Sequence, residues 1–262
     1  GYLNQLNGRI DGVFEPNAGP PAAINGEFSL NNRWLELTNL GVTSKAGDLS
    51  LTGMINWAAE PSLGLRLTSE NLQLKEIASW FANYPTIQVD GTGKLSLEIT
   101  GYLSNPRIIG LLTLEAPRFD KLVFETGKIE LTGNLEELTV TNCLLSGRAI
   151  RLEANGSLNH NYLNLNLSGN INDLEILGLS YQDKRLKGAL DFEGKLTGTP
   201  AKPILSATLQ GSDFRWGDFY YNRCAASIIW DAKAIEFLEA ELSRGETVLN
   251  LRGKVLMPGS LL

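Results

Sequence analysis

Apolar and polar residues alternate in short runs along most of the chain, and glycine closes many of these runs. The clearest run is Leu95–Ile99, which reads Leu-Ser-Leu-Glu-Ile and is followed by Thr100 and Gly101. Pro61–Leu67 and Tyr162–Leu167 show the same kind of alternation. Because side chains on a strand point alternately to opposite faces, each run predicts a β-strand with one leucine-rich face and one polar face.

The runs recur in a fixed order, which indicates an internal repeat. The segment Val89–Gly110 is repeated as Leu186–Gln210, and a frayed copy occupies Leu6–Phe28. The landmarks that recur after 97 residues are Gly91 and Gly188, Gly101 and Gly198, and Pro106 and Pro203. In a repetitive sheet each repeat contacts only its neighbours, so the length of the chain reflects the number of repeat copies and not the number of separate domains. We therefore predict one continuous array over residues 1–262, with approximate units 1–85, 86–182 and 183–262, as a fragment of a longer protein.

Other segments predict strands, turns and two short helices. The predicted strands are Glu27–Leu30, Trp34–Leu40 and an extra hairpin formed by Gly127–Thr132 and Leu138–Leu145. Asn31 and Asn32, which tolerate positive φ, predict a turn between the first two strands. Apolar residues at helical spacing predict a short amphipathic helix over Lys75–Asn83, and its repeat copy leaves room for one turn near Asp173–Gly178. A third recurring landmark, the strand of Ser44–Trp57, has a glycine at Gly53 that recurs at Gly156 and Gly253.

The leucine-rich face needs something to cover it, and helical sequence is too scarce to do so. A packed β-sandwich is one solution, since alternation alone is what every sandwich shows. An antiparallel sheet curved into an open trough with a hydrophobic groove is the other, and the long repeat and scarce aromatic residues on the alternating runs favour it. The groove would bind apolar ligands through Leu49, Leu51, Leu63, Leu65, Leu67, Leu95, Leu97, Ile99, Leu112, Leu114, Leu163, Leu165, Leu167, Leu190, Phe192, Leu249 and Leu251.

Composition and charge narrow the function classes. The hydrophobic fraction is 43%, the charged fraction 20% and the net charge −6, which fits a folded chain and disfavours nucleic acid as a partner. Cys143 and Cys224 are too few for a disulfide scaffold, and we predict two separate buried or half-buried thiols. His160, the only histidine, reads as an exposed turn residue. The sequence shows no metal-ligand cluster, nucleotide loop or nucleophile elbow, so we expect neither a cofactor nor enzymatic activity.

The landmarks together resemble the TamB/AsmA-like family of bacterial envelope proteins. The resemblance rests on the G-x-L-x-L-x-x-x-G pattern at Gly93–Gly101, the Pro-x-Ile-x-Gly loop at Pro106–Gly110, and the N-L-x-L segment with its short helix at Asn71–Asn83. It implies a long, curved, taco-like β-sheet with a continuous hydrophobic groove. It also implies a full-length protein that is anchored in the inner membrane, spans the periplasm, and conducts phospholipids between the inner and outer membranes. Assistance to outer-membrane protein assembly, with a β-barrel partner bound by other parts of the chain, is the other role that it implies.

Three hypotheses follow for the function. The first is a groove segment that binds phospholipid acyl chains. The second is a scaffold or chaperone that offers strand edges to a client by strand addition. The third is a structural or adhesive β-sandwich of a surface protein. Because open sheet edges pair with other chains, we also expect the fragment to associate end to end.

Overall fold

The computed structural model describes residues 5–15, 21–57, 60–79, 88–159, 161–178, 180–181, 184–231 and 233–256. Almost all of these residues lie in β-strands whose described pairings are antiparallel, so the predicted mainly β fold class is confirmed. The chain forms two compact units. Unit 1 comprises Gly1–Ala82, Val89–Pro117 and Gly127–Thr141, and unit 2 comprises Asn83–Gln88, Arg118–Thr126 and Asn142–Leu262. The division into three repeat units stays a prediction.

Unit 1 is a meander in which the first six strands pair in chain order, each with its neighbour. Its elements are β1 (Leu6–Phe14), β2 (Ala22–Leu30), β3 (Trp34–Ser44), β4 (Gly47–Asn56), β5 (Ser62–Gln73), α1 (Leu74–Ser79), β6 (Val89–Tyr102), most of β7 (Arg107–Phe119) and most of β9 (Thr126–Gly133). The strands predicted at Glu27–Leu30 and Trp34–Leu40 are present and longer than expected. The observed helix begins one residue before the predicted Lys75, and residues 80–83 of the prediction lie outside the described residues.

Unit 2 is a second meander of the same kind. Its elements are β8 (Leu122–Val123), the end of β10 (Leu138–Ser146), β11 (Ile150–Leu158), β12 (Leu163–Ile171), a 3-10 helix (Leu174–Leu177), β13 (Ser180–Tyr181), β14 (Lys184–Thr199), β15 (Lys202–Trp216), β16 (Phe219–Trp230), β17 (Ala234–Arg244) and β18 (Thr247–Leu256). The predicted single helical turn is the 3-10 helix, which Asp173 caps at its N-terminus and Gly178 at its C-terminus. The strands of the predicted extra hairpin are β9 and β10.

One turn type joins several neighbouring strands, and it differs from the turn expected at Asn31 and Asn32. Neither asparagine has a positive φ. The Oδ1 atom of Asn31 instead accepts hydrogen bonds from the backbone N–H groups of Arg33 and Trp34, at 2.8 and 3.0 Å. A short Asx side chain can replace a strained backbone in this way. The same pair of hydrogen bonds recurs at Asn134, Asn159 and Asp231.

The repeat seen in the sequence extends to unusual backbone angles. Gly53, Gly156 and Gly253 have φ values of +127°, +136° and +156°, which L side chains rarely adopt. Ala116 and Asp213, separated by the repeat distance of 97 residues, have φ values of +46° and +53°. The glycine landmarks therefore mark points at which the backbone itself requires glycine.

The buried large side chains include residues in or next to the short helices and residues on several strands. In unit 1 Leu72, just before α1, is 6% exposed. In unit 2 Leu174 of the 3-10 helix is 1% exposed, and Phe124 is 2% exposed. Most other apolar side chains on the strands are only half-buried. Fully buried side chains are therefore few, and most of the apolar strand surface is only partly covered.

Candidate functional site

One face of the unit 1 sheet is apolar from β1 to β6. Leu51 of β4 lies directly opposite Leu67 of β5, which lies opposite Leu97 of β6. Residues that are opposite one another in an antiparallel pair share a face, so such rows define the surface. We call this surface the apolar face of unit 1. Its large side chains are Leu6, Ile10, Phe14, Ile24, Phe28, Leu30, Leu35, Leu37, Leu40, Val42, Leu49, Leu51, Ile55, Leu63, Leu65, Leu67, Leu95, Leu97 and Ile99.

Unit 2 carries an equivalent surface from β11 to β18. Leu165 of β12 lies opposite Leu196 of β14, which lies opposite Leu205 of β15 and then Trp230 of β16. The large side chains of this apolar face of unit 2 are Ile150, Leu152, Leu158, Leu163, Leu165, Leu167, Ile171, Leu190, Phe192, Leu196, Leu205, Leu209, Ile228, Trp230, Ile235, Phe237, Leu242, Leu249, Leu251 and Val255.

The predicted residues lie on these two faces, apart from Leu112 and Leu114, which lie on β7 beside Gly93 of β6. Most of them are half-buried, as expected of side chains that contact their neighbours and are not covered from above. Leu114 is an exception at 2% exposed, and it packs with Leu112 beside Gly93. Leu249 and Leu251 on β18 are 40% and 45% exposed. Whether any of these side chains contacts a ligand stays a prediction.

The set predicted from the alternating runs includes fewer than half of the side chains on each face, and bulges that interrupt the alternation account for some of the others. Leu37 and Leu40 are three residues apart, which a regular strand would place on opposite faces. An extra residue in β3 lets Leu37 pair with Gly53 and Leu40 with Leu51, so both leucines join the apolar face. The same irregularity recurs between Phe237 and Ala240. The recurrence of apolar-x-x-apolar at equivalent repeat positions was the available signal.

The opposite face of each sheet is polar and exposed. In unit 2, Asn166 donates from Nδ2 to Oδ1 of Asn155 across the β11–β12 pair at 3.1 Å. In unit 1, Ser29 donates to Asn7 across the β1–β2 pair at 2.7 Å. An open depression of about 650 Å³ also lies on this side of unit 2, where Asn166, Glu193 and polar neighbours line it. We assign the candidate site to the apolar faces, because cross-strand polar pairs of this kind stabilise a solvated sheet without any ligand.

Small residues make the apolar faces smooth. The ring of Phe192 lies over Gly169, where an added Cβ atom would come within 2.8 Å of the ring. Phe28 lies over Gly8 in the same way. Ala207 and Ala226 are buried under larger neighbours on the unit 2 face, at 8% and 7% exposed. Large side chains therefore lean over small ones, so that the surface has few steps at which an apolar ligand would be held.

The electrostatics of these faces are nearly neutral. Arg244 at the end of β17, opposite Thr247, is in register with the unit 2 face. The other paired positions that define the two faces in the described strands carry no acidic or basic side chain. Cys224 lies on the unit 2 face opposite Gly211 and Leu242. Burial raises the pKa of the Cys224 thiol, and it also raises the pKa of the buried Cys143 thiol. Both thiols are free, as predicted, and both stay protonated at neutral pH.

Among the described residues no group of three or more His, Cys, Asp or Glu side chains is placed to hold a metal ion. None of the helices described here has the length and apolar character needed to cross a membrane. His160 lies outside the described residues.

Comparison with known proteins identifies the family. The family model described as "TamB, N-terminal domain" matches residues 1–229. Neither a curated protein nor a solved structure matches the chain. The match covers most of the sequence and agrees with the fold class and repeat derived above. The family is one of transport and assembly proteins with a role in the cell envelope. The chain belongs to the TamB family, through its N-terminal domain.

Proposed function

We propose that the apolar faces bind the acyl chains of phospholipids, and that the chain is a segment of a conduit between the inner and outer membranes. One observation carries the proposal: leucine-rich rows run across six paired strands in unit 1 and seven in unit 2, with side chains that are half-exposed. Contiguous exposed apolar surface of this extent is typical of an interaction site. A hydrocarbon chain is a fitting occupant, because it needs no hydrogen-bonding partner.

The energetics suit transport as well as binding. Burying apolar surface gains about 0.8 kcal/mol per methylene, so ten buried methylenes gain about 8 kcal/mol before ordering costs. A conduit needs this gain to be similar at successive positions, because one much tighter site would trap the lipid. The recurring leucine rows, with glycine and alanine beneath them, supply similar contacts at each strand. The charged headgroup would stay in water at the margin of the apolar face.

The cellular setting proposed here is the periplasm. The full-length protein would be anchored in the inner membrane, and other parts of it would contact an outer-membrane β-barrel protein. The resemblance of the sequence to envelope lipid-transfer proteins supports this setting. Proteolysis of intact cells, compared with that of cells whose outer membrane alone has been permeabilised, tests it. Protection of the domain only while the outer membrane is intact is the expected result, and equal protection after the outer membrane is opened would contradict it.

Lipid extraction followed by mass spectrometry tests acyl-chain binding. Leu97→Asp and Leu165→Asp place a charge on the apolar faces of unit 1 and unit 2. Ser96→Asp and Asn166→Asp are matched controls, because each changes the adjacent residue on the same strand, which points to the polar face. We expect phospholipid to copurify with the parent and the control pair and to be lost from the leucine pair. Circular dichroism checks that all variants stay folded. Equal lipid content in the two pairs, or none in the parent, would refute the proposal.

A scaffold function is the second candidate, and the exposure of β18 favours it. All ten residues of this strand are exposed, and within the described part of the chain its paired neighbour is β17. An open strand edge binds another extended chain by adding a strand to the sheet. The added strand could come from a client or from a second copy, which would produce end-to-end association. Light scattering at increasing concentration tests the second copy. A monomer at every concentration would refute end-to-end association.

A further inference from the structure

The hairpin of β15 and β16 ends in two exposed aromatic side chains. Trp216 and Phe219 lie directly opposite each other at the last pair of the hairpin, with Gly217 and Asp218 forming the turn. Trp216 is 43% exposed and Phe219 is 68% exposed. Large aromatic side chains at a hairpin tip are costly to leave in water. Their display therefore suggests a function outside the hydrophobic core.

The repeat provides an internal comparison for this tip. The hairpin of β7 and β8, 97 residues earlier, places Phe119 opposite Leu122 at the equivalent position. Phe119 is half-buried and packs edge-on against Phe124, with 6.1 Å between ring centroids, and Phe124 is 2% exposed. The earlier tip is thus folded onto the protein, whereas the later tip is presented to solvent. The exposure of Trp216 and Phe219 is therefore not a general property of the repeat.

The polar groups around Trp216 are already satisfied within the protein. The indole N–H of Trp216 donates to the carbonyl oxygen of Lys184 at 3.2 Å. The aliphatic part of the Lys184 side chain lies against Gly217, and its ammonium group bonds to Asp218 at 2.9 Å. A tip whose donors are satisfied loses little when water is removed from around it. Aromatic rings with a satisfied polar end are typical of the membrane–water interface.

The tip itself is less acidic than the chain as a whole. The whole chain has a net charge of −6. Around the tip there are three basic side chains and two acidic ones, namely Lys184, Arg215 and Arg223 against Asp213 and Asp218. The guanidinium group of Arg215 lies over the ring of Tyr220, 4.9 Å from its centroid. Arg215 can thus remain beside an aromatic surface and still reach a phosphate group. Long basic side chains bury their stems and keep the charge at the polar boundary in this way.

A second excess of positive charge lies at the start of β14. The Glu175 carboxylate is 2.6 Å from the Lys187 ammonium group and 3.8 Å from the Arg185 guanidinium group. Arg185 and Lys187 have side chains that are 69% and 60% exposed. Two cations thus share one carboxylate. They flank Leu186, which lies opposite Trp216 at the tip. Such local positive charge complements the phosphate groups of lipid headgroups.

We propose that the tip of the β15–β16 hairpin docks onto the surface of a phospholipid bilayer. Trp216 and Phe219 enter the headgroup region, and Arg215 stays at the level of the phosphates. This interaction goes beyond the proposed acyl-chain binding, because it requires no ligand on the apolar faces. It would bring a bilayer to one end of the strands that carry the unit 2 face.

Cosedimentation of the full chain with sucrose-loaded vesicles tests the proposal. One vesicle preparation is phosphatidylcholine alone, and the other contains phosphatidylcholine and phosphatidylglycerol at about 7:3. We expect binding to both, and tighter binding to the second, because local cations attract anionic lipid. Trp216→Ser with Phe219→Ser should lower binding to both preparations roughly tenfold or more, as expected when large apolar side chains lose their burial. Arg215→Gln should lower binding only to the anionic vesicles, by roughly fivefold.

Two further variants separate this proposal from the proposed function. Leu135→Ser removes another exposed apolar side chain, 76% exposed in the turn between β9 and β10, and should not change vesicle binding. Leu97→Asp with Leu165→Asp should also keep vesicle binding while losing copurified lipid. The proposal is overturned if the parent binds neither preparation or if the double-serine variant binds like the parent. Loss of vesicle binding in the leucine pair alone would assign the interaction to the apolar faces and overturn it as well.

Discussion

A glycine-to-alanine substitution in β11 tests the backbone geometry that holds the repeat together. Gly156 has a φ of +136° and lies opposite Leu165 of β12. A Cβ atom added there would lie 2.9 Å from the Cα atom of Leu165 and closer still to the carbonyl oxygen of Asn164. Gly253 occupies the equivalent position in β18, with a φ of +156°, and a Cβ atom added there would meet nothing within 4 Å. Gly253→Ala is therefore a control that has the backbone strain without the contact.

The expected losses of stability follow from the backbone strain at both glycines and from the close contact at Gly156. An unfavourable backbone conformation costs about 1–3 kcal/mol at either position. Overpacking against the neighbouring strand adds about 1–3 kcal/mol at Gly156 alone. Alanine also restricts the unfolded chain, which restores about 0.4–1 kcal/mol in both variants. We therefore expect a loss of about 2–5 kcal/mol for Gly156→Ala and about 1–2 kcal/mol for Gly253→Ala.

Hydrogen–deuterium exchange with mass spectrometry measures the two losses separately, because it reports the free energy of local opening. In the Gly156→Ala variant, peptides from β11 and β12 should exchange faster by the factor that corresponds to the loss. In the Gly253→Ala variant, faster exchange should be confined to β17 and β18 and should be smaller. If the two variants lost the same local stability, the close approach of β12 to Gly156 would not be a real constraint and the reasoning would be refuted.

Three further predictions concern single side chains. Two backbone N–H groups of its turn lower the pKa of Asp231, so the ionised form stabilises the turn above pH about 3.9 and this contribution is lost as pH falls through the folded-state pKa. Amide exchange in the turn should show this loss, and Asp231→Asn should abolish it. Leu174→Ala should cost about 2–5 kcal/mol in urea unfolding, and the exposed Leu135→Ala less than about 0.5 kcal/mol. Iodoacetamide at pH 7.5 should label Cys143 more slowly than the half-buried Cys224 and far more slowly than free cysteine, whereas labelling as fast as free cysteine would contradict the raised pKa values.

The alternating runs predicted the strands well, because a period of two is a direct consequence of strand geometry. Leu163, Leu165 and Leu167 share a face in the structure, as the sequence implied. The short 3-10 helix at Leu174 was also predicted, since the capping residues on either side of it are local signals. The geometry of the turns was harder to predict from the sequence. Asn31 was assigned a turn correctly, but its side chain and not a positive φ forms it.

The sequence by itself determined the strand content, the two-faced character of the strands and the repeat, because each depends on near neighbours along the chain. The tertiary structure decided which residues complete each apolar face. A bulge beside Leu37 and another beside Phe237 restore a face that the alternation had lost, and cross-strand register decides which leucines form a row. It also decided that Phe119 is half-buried against Phe124 while Trp216 is exposed, although both occupy the same place in the repeat. Strand register and the burial of individual side chains depend on contacts between distant segments, and no local pattern encodes them.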